Sequence, residues 1–437
     1  MIDTDALWMP FTPNRAFKDK PRIVREAHGM RLVTQEGRDV IDATAGLWCS
    51  NLGHCRPEIS RAVKEQLDTL DFTSVFNFGH ELAFDYARRL VAYTPAGLDH
   101  VFFGNSGSEA VETALKLALQ YWQALGKNQK TRFIGRELGY HGVNFGGISV
   151  GGIPSNAAAF GQWLMVDHLR HTHDLERSAF SRGQPESGAE LAEELEQLLL
   201  RHGAETVAAV IVEPVAGAGG VIVPPEGYLE RLREICTEHD VLLIFDEVIT
   251  GWGRVGAPFA ATRFGITPDL MTSAKGITNA AVPLSAVFIS NELYRTCMER
   301  ARTPVEFFHG YTYSCHPVGC AAGMAALDIY EAEGLLARAA GPLATYWEDA
   351  LHSLRDVEGV VDIRNFGLLG AVQHRGDAAS PGTIGARLQA VAWELGLMVR
   401  AVGDSLCLSP PLIVEEADID EIRDKLRRTL ESVPLTA

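Results

Sequence analysis

No apolar run in this chain approaches the length needed to cross a bilayer. Its first residues, MIDTDALWMPF, lack a basic stretch followed by an apolar one, so no secretory signal is expected. Positive charge is scarce: 39 Lys and Arg face 56 Asp and Glu, a formal net charge of −17. That balance disfavours nucleic acid and anionic membranes as partners, and leaves the charge of a small substrate open. Cysteine is sparse as well. Cys49, Cys55, Cys236, Cys297, Cys315, Cys320 and Cys407 are odd in number and scattered, with no C-x-x-C pair. This excludes a disulfide framework and predicts a reduced, cytoplasmic protein. There is no internal repeat and no low-complexity tract.

What is present is a soluble globular composition, 46% hydrophobic and 22% charged over 437 residues. A chain of this length suggests roughly three domain-sized units and a large core. The pattern centres on residues 241–276, which begin VLLIFDEVITGWGR and end PDLMTSAKGI. Residues 241–245 form a short apolar run, as in a strand buried on both faces, and stop at Asp246-Glu247. Residues 269–274 read as a second strand ending at Lys275-Gly276. In open α/β sheets ligands bind at the carboxyl ends of strands, which puts Asp246 and Lys275 on one functional rim. Two readings are open there. The pair can be an ion pair closing the sheet edge. Alternatively, a desolvated lysine forms a Schiff base while the carboxylate holds a pyridine nitrogen protonated, the two partners that pyridoxal phosphate (PLP) requires.

The segment VFFGNSGSEAVETALKLALQYWQ predicts a strand at 101–103, a glycine turn, and a helix with Ser108 as N-cap. A glycine turn feeding a helix N-terminus is an anion pocket. No Lys-Ser/Thr follows Gly107 and the dinucleotide spacing is absent, so a phosphate monoester fits better than a nucleotide. Further strands are expected at 131–134, before G-Y-H-G, and at 207–212, ending at Glu213, with a helix over 228–239. Strand and helix alternate from 101 to 275, the signature of a parallel sheet with helical crossovers.

Around this core, residues 1–30 read as an irregular arm, 30–43 as a hairpin, and 57–70 and 81–93 as helices. Residues 151–190 read as loop-rich. They carry His168, His171 and His173, whose spacing suits a metal, but no fourth ligand is apparent, and no metal is expected. Beyond about 340 the pattern becomes α+β, with a hairpin turning at Gly403-Asp404. Tyr140 at a strand end can stack on a planar ring or simply pack. Trp48 in the AGLWCSNLGH loop can anchor packing or line a site. Arg400 on the hairpin can be a solvated edge charge or a ligand. The expected division is an N-terminal arm with part of a small domain (1–58), a large domain (59–317) and a C-terminal small domain (318–437).

Taken in order, N-S-G-S-E-A (105–110), G-Y-H-G (139–142), V-E-P (212–214), F-D-E-V-I-T-G-W-G-R (245–254), S-A-K-G (273–276) and Y-T-Y-S (311–314) resemble the class III (subgroup II) PLP-dependent aminotransferases of fold type I. W-M-P-F-T (8–12), A-G-L-W-C (45–49), H-T-H (171–173) and M-V-R-A-V-G-D…S-P-P-L-I (398–413) narrow the resemblance to the ω-amino acid:pyruvate (β-alanine:pyruvate) members. The resemblance implies an α/β large domain with a mostly parallel sheet and a smaller α+β domain. It implies that Lys275 carries PLP and acts as the base, and that Asp246 pairs with the pyridine nitrogen. Gly107 and Ser108 would bind the phosphate, joined by Thr312 from a partner subunit. Tyr140 would stack on the ring and Val248 pack on its other face, with His141 and Glu213 also among the cofactor-binding residues. Trp48, Tyr140 and Arg400 would shape the substrate pocket, and Phe76 of the partner would close its mouth. A homodimer with shared sites, or a pair of such dimers, follows.

The implied reaction is a ping-pong transfer from a β-alanine-like ω-amino acid or an amine to pyruvate, giving alanine and an aldehyde or ketone. Taurine, 4-aminobutyrate or a plain amine as donor is the alternative, and a PLP-dependent decarboxylase or aminomutase a more distant one. Two residues depart from the family pattern, Trp252 and Cys315. The Trp252 departure bears on the loop beyond the cofactor ring and leaves the preferred amine open.

Overall fold

The computed structural model describes residues 3–301 and 303–433. Its centre is an eight-stranded sheet. Across the sheet the strands run His100–Gly104, Ser285–Ile289, Leu270–Ser273, Leu242–Asp246, Val207–Val212, Arg132–Glu137 and the short Gly151–Gly152, with Val166–Leu169 also paired to Arg132–Glu137. All neighbours from Leu270–Ser273 to Gly151–Gly152 are parallel; Ser285–Ile289 is antiparallel to both of its partners.

Every residue of Val207–Val212 and Leu242–Asp246 is buried. Side chains alternate between faces along a strand, and here the two faces feed different cores. Val210, Val212, Leu243 and Phe245 join the larger core with Leu232, Ile235 and Tyr330. Ala209, Ile211, Leu242 and Ile244 pack against Val111, Ala114, Leu115, Ala118 and Trp122 of helix Gly107–Ala124. A continuous apolar run is what such double burial demands.

The expected strand at 131–134 is longer, Arg132–Glu137, and its tip delivers the G-Y-H-G turn. The helix after the glycine turn begins earlier than expected. Its N-cap is Ser106, whose Oγ accepts from Glu109 N at 3.2 Å, and Ser108 already lies inside the first turn. The arm is also more ordered than its sequence suggests. It contains helix Asn14–Asp19 and strand Val24–His28, whose residues are mostly exposed and so carry no apolar alternation. The loop-rich stretch likewise contains strand Val166–Leu169.

Two smaller sheets complete the fold. Val24–His28, Arg31–Thr34 and Asp39–Asp42 are joined by Leu397–Met398, which pairs in parallel with Asp39–Asp42. Val360–Phe366, Leu369–His374, Ser405–Leu408 and Arg400–Val402 form an antiparallel sheet, with the hairpin turn at Gly403-Asp404 as expected.

Candidate active site

The parallel strands end on one rim, and the chain places chemistry at four of those ends: Tyr140 and His141 after Arg132–Glu137, Glu213 after Val207–Val212, Asp246 closing Leu242–Asp246, and Lys275 beyond Leu270–Ser273. Gly107, Ser108, Tyr140, Gly142, Glu213, Asp246, Val248, Ile249 and Lys275 line a single cavity there. Gly142 and Ile249 are the lining residues that sequence reasoning did not name.

At one end of the cavity the helix Gly107–Ala124 presents its N-terminus. The first amides of a helix have no intrahelical acceptor, and the helix dipole adds positive potential. The Ser106 cap takes only the Glu109 amide. Glycine is required at both sides of this cradle. A Cβ on Gly107 would sit 3.1 Å from the Val248 methyls, and one on Gly142 2.6 Å from Ser108 Oγ. Ser108 Oγ itself accepts from Val143 N at 3.2 Å, which ties the helix start to the G-Y-H-G turn.

Asp246 is 5% exposed. Its Oδ1 accepts from Thr272 Oγ1 at 2.9 Å and Val248 N at 3.2 Å. Its Oδ2 meets His141 Nδ1 at 2.9 Å. His141 is buried and its Nε2 has no partner. Glu213 is held by Tyr140 N at 2.9 Å and Gly217 N at 3.1 Å. Burial raises its carboxyl pKa, with Asp246 adding to the rise and His141 and Arg136 opposing it. The neighbouring Glu247 points away from the cavity. It accepts from Thr250 Oγ1 at 2.7 Å and from the amides of Ala260 and Ala261 at 2.6 Å each, capping the helix that follows, and burial lifts its pKa to about 7.

Lys275 has a left-handed backbone, φ 54°. Its strained turn is fixed from behind: Tyr330 Oη donates to Gly276 O at 3.0 Å and Tyr86 Oη to Ile277 O at 2.9 Å. A Cβ on Gly276 would lie 2.7 Å from Asn51 Nδ2, so the residue after the lysine must be small. Burial lowers the Lys275 pKa below the usual lysine range, and Asp246 and Glu213 oppose that shift. The ammonium lies 5.8 Å from the centre of the Trp48 ring. Trp48 is buried, and its segment Ala45–Trp48 is a kinked turn with left-handed Ala45, Gly46 and Trp48. The Asp42 carboxylate holds that turn through Thr44 N at 2.9 Å and Gly46 N at 2.6 Å.

Tyr140 is half-buried, and its phenol pKa is raised by burial and by Asp246 and Glu213, while the Arg400 charge pulls it down. Arg400 is exposed on its hairpin strand, close enough for that charge to be felt. Phe76 and Thr312 are exposed and stand outside the cavity lining of their own chain.

The histidines of the H-T-H loop do not converge on a metal site. His168 Nε2 bonds Gly151 O at 3.0 Å, and His173 Nε2 bonds Gln373 Oε1 at 3.2 Å beside the Arg364 guanidinium. Among the described residues, the one group with ligand atoms mutually in reach is Glu196, Glu238 and His239, and Arg231 already pairs with Glu196 there. Trp252 is not among the residues that line the cavity. It is 1% exposed, bonds Ser273 Oγ through its indole N–H at 2.8 Å, and stacks on Tyr330 in the core. Cys315 adopts φ 55°, where glycine carries no strain, and its carbonyl accepts from His80 Nε2 at 2.7 Å.

The donor set fits PLP. A monoester phosphate suits the Gly107–Ser108 cradle, a buried carboxylate stands where a ring nitrogen needs a counter-charge, and a depressed lysine faces both.

The comparisons with known proteins agree with this geometry. The family model for class-III aminotransferases matches residues 14–430. The omega-aminotransferase of Caulobacter vibrioides is 56% identical over 432 residues, 99% of this chain and 98% of that protein. The beta-alanine–pyruvate aminotransferase of Pseudomonas aeruginosa is 48% identical over 439 residues, covering 99% and 97%. The omega transaminase of Pseudomonas jessenii in complex with PMP superposes with a TM-score of 0.92 at 35% identity, covering 97% of this chain and 96% of that one. A sheet rim bearing this constellation, in a chain matched nearly end to end, belongs to the class III aminotransferases, which are PLP-dependent enzymes.

Proposed function

We propose that the enzyme moves an amino group from a β-alanine-like ω-amino acid, or from an amine, to pyruvate, releasing alanine and an aldehyde or ketone in a ping-pong cycle. The observation that carries this reading is Arg400. It is an exposed arginine on a hairpin strand, its charge lowers the phenol pKa of Tyr140, a residue lining the cavity, and among the described residues it has no ion pair. Such a guanidinium can meet an acceptor carboxylate bidentately and move aside for a donor without one nearby. The names of the relatives above support the same substrates.

PLP bound here supplies an electron sink for the bond broken at the carbon bearing nitrogen. Lys275 would anchor the cofactor, and its neutral amine would serve as the base that takes the proton from the carbon bearing nitrogen. Its depressed pKa keeps the base form accessible nearer neutrality. Asp246 would hold negative charge against the ring nitrogen, and His141 fixes the orientation of Asp246. Gly107 and Ser108 would bind the phosphate. Tyr140 and Val248 would hold the ring between them, with Glu213 beside it, all three lining the same cavity. Trp48, with Ile249 and Val221 of the same cluster, keeps water from the reacting carbon.

The exposure of Thr312 and Phe76 supports a homodimer in which each reaches the partner's site. The division at 58 and 317 is supported by the sheets: the central one lies between those positions, and the N-terminal sheet takes its fourth strand from Leu397–Met398. Among the described residues no helix is long and apolar enough to cross a membrane. A cytoplasmic setting is supported by seven cysteines that are all unpaired. A panel of β-alanine, taurine, 4-aminobutyrate and 1-phenylethylamine with pyruvate, read as alanine formed, tests the reading. Highest kcat/KM is expected with β-alanine or the amine. No alanine from any donor would refute it.

A further inference from the structure

Outside the cavity lining stands a second arginine of opposite character. Arg364 is 7% exposed, and its guanidinium is committed within the protein on every nitrogen. Nη1 donates to Asp362 Oδ2 and, at 2.8 Å, to Gln373 Oε1. Nε and Nη2 donate to Gly220 O at 3.1 and 2.9 Å, and Nη2 also to Ser405 Oγ at 3.1 Å. His173 of the H-T-H loop completes the cluster at 3.3 Å. Burial and the Arg364 charge hold His173 neutral, with its pKa near 4.

These partners belong to segments that converge on the cavity. Gly220 ends the loop that starts at Glu213, and the loop is pinned at its base by Gly217 N on Glu213 Oε2 at 3.1 Å. Ser405 pairs with Val402 in the hairpin that carries Arg400. A Cβ on Gly220 would lie 3.5 Å from Arg364 Nη2 and 4.0 Å from a Val402 methyl, so loop tip, guanidinium and hairpin are in close contact. The Glu213 end of the loop lines the cavity; its Gly220 end is bridged by Arg364 to Ser405 of the hairpin. A planar fork spreads five donors over three nitrogens and so reaches a carbonyl, a hydroxyl and a carboxylate that lie too far apart to share one ammonium.

We propose that Arg364 is a positioning residue for Arg400: by bonding Gly220 O and Ser405 Oγ together, it sets where the Arg400 guanidinium stands relative to the reacting carbon. It touches neither cofactor nor substrate. The inference rests on the reading of Arg400 as the carboxylate ligand. It gives the H-T-H loop a role, since His173 Nε2 donates to Gln373 Oε1, the oxygen that also accepts from the fork.

The test uses the PLP-loaded enzyme and four variants: Arg364→Lys, Ser405→Ala, Arg400→Ala and Arg364→Lys/Arg400→Ala. Arg364→Lys keeps a cation beside Asp362, which is 1% exposed, and so avoids leaving that carboxylate unpaired. Ser405→Ala cuts only the tie to the hairpin. Loss of one or two net hydrogen bonds predicts a KM for pyruvate raised about ten-fold in Arg364→Lys and about three-fold in Ser405→Ala. The half-reaction with 1-phenylethylamine should stay within about two-fold of wild type, because an uncharged tail does not use Arg400. In the double variant, Arg364→Lys should add nothing to the pyruvate defect of Arg400→Ala, as a residue acting through another must. An unchanged pyruvate KM in both single variants overturns the inference. So does an equal loss with both substrates, or additivity in the double variant. If Arg400→Ala is itself indifferent to the carboxylate, the reading of Arg400 falls, and that failure is seen separately.

Discussion

Asp246 Oδ2 and His141 Nδ1 lie 2.9 Å apart, both buried, and the other imidazole nitrogen has no partner. With Thr272 Oγ1 and Val248 N on the other oxygen, the carboxylate has its donors in place before any ligand binds. A buried carboxylate so arranged is a fixed negative charge, which is what a protonated ring nitrogen needs.

Asp246→Asn keeps the shape and removes the charge. Charge-assisted hydrogen bonds are worth about 1.5–3 kcal/mol, so PLP should dissociate roughly 10–100-fold more readily, with activity falling further. Equilibrium dialysis of the cofactor and the rate of alanine formation check both. Wild-type retention and rate would exclude the assignment.

Lys275 provides a stability test. Its folded pKa lies below the unfolded lysine value because burial penalises the ammonium. Below the folded pKa both states are protonated and the burial cost is felt in full. As pH rises from the folded pKa towards 10.5, the unfolded chain binds more protons, so this group's contribution to stability rises with pH. In the cofactor-free protein Lys275→Met should therefore raise the melting temperature at pH 7, and the difference should shrink towards pH 10.5. A gap that is constant with pH would contradict the assigned direction.

Arg400→Ala separates substrates by charge. Losing a bidentate ion pair costs about 2–5 kcal/mol. KM for pyruvate and for β-alanine should rise steeply, while the half-reaction with 1-phenylethylamine changes little or improves as the pocket gains apolar room. Single-turnover spectra with each amine distinguish the cases. Equal losses would make Arg400 structural.

Thr312 and Phe76 are exposed on the single chain, which fits a site completed by a second copy. Sedimentation should give a dimer or a larger even assembly, and Thr312→Ala should weaken cofactor retention without altering Lys275. A fully active monomer would end the shared-site account.

How far this was legible depended on burial. Val207–Val212 and Leu242–Asp246 could be read directly, because strands buried on both faces must be continuously apolar. The rim residues followed, since strand ends fix them. Val24–His28 could not be read: its side chains are mostly exposed and its existence depends on pairing with Arg31–Thr34. The helix cap was displaced from Ser108 to Ser106 because the turn geometry, not the residue type, decides which serine reaches Glu109 N. Trp252 stood out only as a departure from the family pattern, and the partner of its indole, Ser273 Oγ, is known only from the fold. Arg364 gave no local signal at all. Gln373 lies on the neighbouring hairpin strand, but Gly220 and Ser405 are distant in sequence and meet Arg364 only in the folded chain.

The central claim is that nitrogen passes from an ω-amino donor to pyruvate through this site. The PLP-loaded enzyme should be given ¹⁵N-labelled β-alanine and unlabelled pyruvate, with Lys275→Ala as control, and the alanine analysed by mass. The account requires labelled alanine formed one-for-one with β-alanine consumed, and none with Lys275→Ala. Unlabelled alanine, β-alanine consumed without labelled alanine formed, or labelled alanine from Lys275→Ala at the wild-type rate would contradict it.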